Sequence, residues 1–142
     1  MKFSKITISL ILAAFLSGCA SGLNSMQQRE YAAMEKDGVL IKEKNPNTGM
    51  ALGLLPGGGS FYAREPGLGV VNLLFWPLSV LWDPFSGKQG AESINYDVTK
   101  HYLKQEIKKE MSELDDKLAL GKISNEQYIV EKRKIENKYS YE

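Results

Sequence analysis

The run over residues 68–82 constrains this chain most. It carries no charge over about fifteen residues and is interrupted by Asn72 and Pro77. Apolar surface of that extent has to leave water, inside a core or against lipid. A helix crosses the ~30 Å hydrocarbon layer only with about 20 apolar residues, and Pro77 would kink one here. A shorter apolar run at 50–55 precedes it, with Glu43 and Lys44 just upstream, and Pro56-Gly57-Gly58-Gly59-Ser60 breaks that run. Phe61-Tyr62 and the polar turn Ala63-Arg64-Glu65-Pro66-Gly67 join the two, and Asp83-Pro84 closes the second. The lengths therefore predict an apolar helical hairpin over 49–90, re-entrant or interfacial at a membrane, or else folded as the core of a small soluble domain. At a membrane, Phe61, Tyr62, Phe75, Trp76 and Trp82 are the expected contacts, with the tryptophans suited to the headgroup region.

Glycines at 58, 59, 67 and 69 with Phe61, Tyr62, Trp82 and Asp83 give a pattern that resembles a small bacterial domain of two apolar helices joined by a short polar turn. The likeness covers about a quarter of the chain and implies a paired hairpin. A phosphate-binding loop would need Gly-Lys-Ser/Thr opening a helix after the glycines, and none follows. The glycines read instead as a turn, or as a place where two backbones approach closely.

The start of the chain has the three parts of an export signal. Lys2 and Lys5 are followed by an apolar run over 6–16, then small Ser17 and Gly18, then Cys19. Leu16-Ser17-Gly18-Cys19 resembles the lipobox of bacterial lipoproteins. That resemblance implies cleavage of a signal peptide over 1–18 and lipidation of Cys19, with membrane attachment through the N-terminal lipid. In that family an Asp after the cysteine favours the inner membrane. Ala20 and Ser21 stand here, which points to the cell envelope at the outer membrane, facing the periplasm.

Cleavage would leave about 124 of the 142 residues, one domain's worth at most. A net charge of +1 offers no basic surface for nucleic acid. One cysteine excludes an internal disulfide and a cysteine-built metal site, and His101 is the sole histidine. Residues 19–48 read as a lipidated tether followed by a helix over 25–36, with Tyr31 and Met34 or Met26 on one side and Asp37-Gly38 ending it. Val39-Leu40-Ile41 reads as a short strand or as the approach to the next segment. Asn45-Pro46-Asn47-Thr48-Gly49 reads as a turn.

Residues 91–142 are charged and helical in pattern. Asp97 is placed to cap a helix starting at Val98. Leu103, Ile107, Met111, Leu114 and Leu118 recur at helical spacing and form one stripe, and Gly121 stops it. Ser124 with Gln127 fits a capping box, flanked by Ile123 and Tyr128 as a staple. Tyr128, Ile135 and Tyr139 share a face of the second helix, with Lys132 alongside. Leu114, Leu118, Gly121, Ile123, Ser124, Glu126, Tyr128, Lys132 and Ile135 together resemble the SHOCT domain, a two-helix C-terminal module. The resemblance implies self-association or association with an envelope partner, through Leu114, Leu118, Ile123, Tyr128 and Ile135.

No catalytic set, metal set or cofactor motif emerges. His101 reads as a surface residue, Asp83 as a cap for a following turn, and Ser60 has no base near it in sequence. The expectation is a mainly α protein without enzymatic activity: signal peptide, tether, apolar hairpin and charged C-terminal hairpin. Its expected role is structural or assembly work at the envelope. The alternative is a small membrane-inserting oligomer acting through the apolar hairpin.

Overall fold

A computed structural model describes residues 22–141; the expected leader and Cys19 lie outside the described residues. The protein is mainly helical, with no strand among the described residues. The α-helices are α1 (Ser25–Lys36), α2 (Pro46–Leu52), α3 (Gly58–Tyr62), α4 (Pro66–Leu74), α5 (Asp83–Ala119) and α6 (Asn125–Lys138), with a 3₁₀ turn at Leu78–Leu81.

Contacts divide the chain into two units. Among the described residues, one comprises 22–24 with Lys42–Asn95; the other comprises Ser25–Ile41 with 96–141. Helix α5, 37 residues long, contributes to both.

The first unit begins where a turn is expected. Asn45-Pro46-Asn47-Thr48-Gly49 is instead the start of α2: the Asn45 side chain accepts the amides of Asn47 and Thr48, and Pro46 takes the first helical position. The same residues serve both purposes, because Pro tolerates the first turn and Asn caps it. Gly57, with φ 69°, leads into α3. The long apolar run is not one kinked helix. Helix α4 stops at Leu74, the Trp76–Pro77 bond is cis, and the 3₁₀ turn carries the chain to Asp83. Asp83 opens α5, fourteen residues before the expected cap at Asp97. Local preference at Asp97 is overridden because the early turns of α5 pack against α2 and α3, as the glycine contacts below require.

In the second unit, α1 ends with Gly38 at φ 72°, and the amides of Val39 and Leu40 both return to the Met34 carbonyl. Val39-Leu40-Ile41 is no strand. The Ile41 amide donates to the Thr99 hydroxyl at 2.9 Å. Met34 is fully buried, whereas Met26 is exposed, so the open choice on α1 falls to Met34. On α5, Leu103 and Leu114 are buried and Ile107, Met111 and Leu118 half-buried, as the stripe predicts. Gly121 has φ 66° just past the end of α5, and Ser124 and Gln127 form the capping box of α6. Tyr128, Lys132, Ile135 and Tyr139 are half-buried along α6 while their neighbours are exposed.

Candidate functional site

The first unit has an unusual interior. Ser60, Asn72, Ser79, Asp83, Ser86 and Asn95 are buried, while among its described residues the buried alkyl groups are those of Ala63, Ala91 and Pro84. Buried polar groups are usually bonded; here a network joins Ser60, Asn72 and Asp83, and the Asn95 side chain pairs with the Lys44 amide and carbonyl at 2.8 Å each. The Asp83 carboxylate sits at the amino end of α3. Its Oδ2 accepts the Gly59 amide at 3.1 Å, and its Oδ1 accepts the Ser60 amide at 3.0 Å and the Ser60 hydroxyl at 2.5 Å. Asn72 Nδ2 donates to Asp83 Oδ1 at 2.8 Å and to Ser60 Oγ at 2.9 Å. Trp82 Nε1 donates to Asn72 Oδ1 at 2.9 Å. A carboxylate at a helix amino end meets unpaired amides and the positive end of the dipole. Asp83 thus caps α3 across the fold, rather than a turn following it in sequence. The Ser79 hydroxyl, also buried, has no hydrogen-bond partner among the described residues.

Glycine makes this interior possible. A Cβ on Gly59 would overlap the Asp83 carbonyl, one on Gly53 would overlap the backbone at Pro84, and one on Gly87 would overlap the Gly49 carbonyl. Helices α2, α3 and the first turns of α5 therefore touch backbone to backbone. That is the close approach expected of the glycine-rich stretch, extended to residues beyond it.

The apolar side chains displaced from this interior lie outside. Leu73, Leu74, Phe75, Trp76, Leu78 and Leu81 each expose 46–75% of their surface, and Leu54, Leu55, Phe61, Val70, Trp82 and Phe85 are also exposed. Of the expected membrane contacts, Phe61, Phe75, Trp76 and Trp82 belong to this outer face. Tyr62 is half-buried: its hydroxyl accepts the Asn45 amide at 2.9 Å, and Lys44 Nζ lies 4.5 Å from the ring centroid. Sequence reading did not single out the leucines at 73, 74, 78 and 81, although the absence of charge in the run was their signal. No described helix is long and apolar enough to cross a membrane.

No family model, curated protein or solved structure matches this chain.

Ser60 and Asp83 would suit a nucleophile and base by distance, but both are fully buried and present no face to a substrate. His101 is exposed and shares a hydrogen bond with Gln105 at 2.8 Å. Among the described residues no group of three or more His, Cys, Asp or Glu side chains is placed to hold a metal. A shallow hollow lined by Gln105, Lys108, Lys109, Ser112 and Glu113 belongs to one stretch of α5.

In the second unit, Glu30 accepts the Tyr96 hydroxyl at 2.7 Å and Lys100 Nζ at 2.8 Å. The Lys100 hydrogen bond holds the Glu30 carboxyl below the usual carboxylate range, against the opposing effect of burial. Burial first, then its bond to Glu30, pushes the Tyr96 phenol up to about 12. The C-terminal helices are tied by Tyr128 to Asp115 at 2.8 Å, and by Lys138 and Tyr139 to Glu110 at 2.7 Å each. Leu114 is buried, and Leu118, Ile123, Tyr128 and Ile135 are half-buried. Leu120, Ile129 and Val130 are the exposed apolar residues of this hairpin.

Proposed function

We propose that this protein is a lipid-anchored component of a bacterial cell envelope, held at a bilayer through Cys19 and through the outer face of its first unit. Its role there is structural or assembly work. The observation that carries the membrane part is the inverted polarity of that unit: bonded polar groups inside, leucine, phenylalanine and tryptophan outside. In water this arrangement wastes apolar surface. Against acyl chains it places each group in its preferred solvent, with polar side chains turned inward.

Magnitudes separate the two attachments. Full burial of a large apolar side chain contributes about 1.5–3 kcal/mol. Six half-exposed ones at residues 73–81 would therefore give roughly 6 kcal/mol, comparable to a single myristoyl chain. One such chain binds reversibly and two or more hold. The lipid on Cys19 is the retaining element, and the apolar face fixes how the body sits. Ala20 and Ser21 after Cys19 favour the outer membrane, facing the periplasm.

Flotation of the full chain with phospholipid vesicles tests this reading. Wild type remains bound. Cys19→Ser binds reversibly, and adding Leu74→Glu and Leu81→Glu abolishes its binding. A Cys19→Ser protein that never floats removes the role of the apolar face, and a free Cys19 thiol by mass spectrometry on wild type removes the anchor.

Assembly through the C-terminal hairpin is a second reading, favoured by the exposure of Leu120, Ile129 and Val130. Light scattering of the full chain in detergent, wild type against Ile129→Lys/Val130→Lys, tests it. An identical mass for both ends that reading.

A further inference from the structure

The chain is uncharged from Pro66 to Trp82, and the polar side-chain groups of that stretch belong to Asn72, Trp76, Ser79 and Trp82. Three of these groups are taken up inside the first unit. Asn72 is buried and bonds Ser60, Asp83 and Trp82. The Ser79 hydroxyl is buried. The Trp82 ring is 42% exposed, but its N–H turns inward to Asn72 Oδ1 at 2.9 Å. Trp82 therefore offers its surroundings an apolar ring alone, although by residue type it has the same polar handle as Trp76.

Trp76 differs. It is 52% exposed, and its indole N–H has no hydrogen-bond partner among the described residues. Of the four groups, it alone is neither buried nor bonded. Exposed Leu74, Phe75 and Leu78 flank it in sequence, and acyl chains suit those side chains best. An N–H taken among acyl chains without an acceptor gives up its water and gains no bond in return. Phospholipid ester and phosphate oxygens supply acceptors at the edge of the hydrocarbon, the region where tryptophan is enriched. We propose that Trp76 is the phospholipid-binding residue of the outer face: its indole N–H donates to an ester or phosphate oxygen, while Trp82 meets acyl chains through its ring only. This rests on the membrane reading above. It also separates two tryptophans that the sequence treats alike, one holding the buried network and the other the bilayer contact.

The chain has two tryptophans, so Trp82→Phe and Trp76→Phe each leave one native fluorophore. Each full-length variant is reconstituted in phospholipid vesicles with bromine near the ester or near the end of the acyl chain. Trp76 emission, read in Trp82→Phe, is expected to be quenched several-fold more by bromine near the ester than by bromine at the chain end. Trp82 emission, read in Trp76→Phe, is quenched by chain-end bromine at least as strongly as by the other. Equal or stronger chain-end quenching of Trp76 overturns the proposal. So does quenching of Trp76 by aqueous iodide while Trp82 still responds to bromine, an outcome that leaves the membrane reading standing. Iodide quenching of both tryptophans, with no effect of bromine, removes that reading as well. Trp82→Phe strands Asn72 Oδ1 and should lower the melting temperature, whereas Trp76→Phe should melt as wild type does. If Trp82→Phe loses its helical circular dichroism, wild-type emission minus that of Trp76→Phe reports Trp76 with the network intact.

Discussion

Asp83 receives four donors on its two carboxylate oxygens, two of them backbone amides of α3. Asp83→Asn keeps the shape, but it replaces one acceptor oxygen with a donor that faces other donors. The expected loss is about 3 kcal/mol, since bonds to charged groups and stranded buried donors both count. Ser79→Ala serves as the internal comparison. That hydroxyl is equally buried but has no bond to lose among the described residues, so its change should stay within about 0.5 kcal/mol. Denaturant melts of the full chain in detergent measure both. Equal effects would mean that the network does not hold the fold. The sequence marks Asp83 as unusual, being the acid that directly closes the uncharged run over 68–82, and suggests a cap. It does not reveal the target, because Gly59 and Ser60 lie more than twenty residues earlier and meet Asp83 only once the helices have packed.

At the scale of the elements, glycine decides where helices can touch. Gly87→Ala would drive a methyl into the Gly49 carbonyl and the Gly59 Cα. Backbone on both sides cannot yield as a side chain would, and overpacking of this kind typically costs about 1–3 kcal/mol. Gly67→Ala meets nothing within 4 Å inside α4, and should stabilise by about 0.5 kcal/mol through the unfolded chain. Opposite shifts in melting temperature are the expected outcome, and shifts of the same sign would refute the packing role of Gly87. A close approach of backbones is legible in Gly57-Gly58-Gly59, but its partners are not. The start of α5 is misplaced for the same reason. Gly87 and Gly90 have poor helical preference, so Asp97 looks like the natural beginning; inter-helix contact supplies what local preference lacks. The C-terminal boundaries are legible because Gly121, Ser124 and Gln127 act within a few residues of one another.

Across the whole molecule the two units respond to different conditions. In the second unit Glu30 has a lowered pKa in the folded state. Its contribution is therefore complete above the unfolded value of about 4.3 and is lost as pH falls through the folded value. Tyr96 is raised to about 12. Its contribution holds below the ordinary phenol range near 10 and is lost as pH rises through about 12. Melts as a function of pH should show an acid-side loss that Glu30→Gln reduces, and ultraviolet titration should find a late-ionising phenol that Tyr96→Phe removes. If Glu30→Gln leaves the acid limb unchanged, the Glu30–Tyr96–Lys100 cluster is not its source.

A first unit with so little alkyl surface inside gains little from collapse in water. Its outward leucines, Leu73, Leu74, Leu78 and Leu81, would instead stick to any other oily surface, so dispersal of the purified chain is expected to depend on detergent.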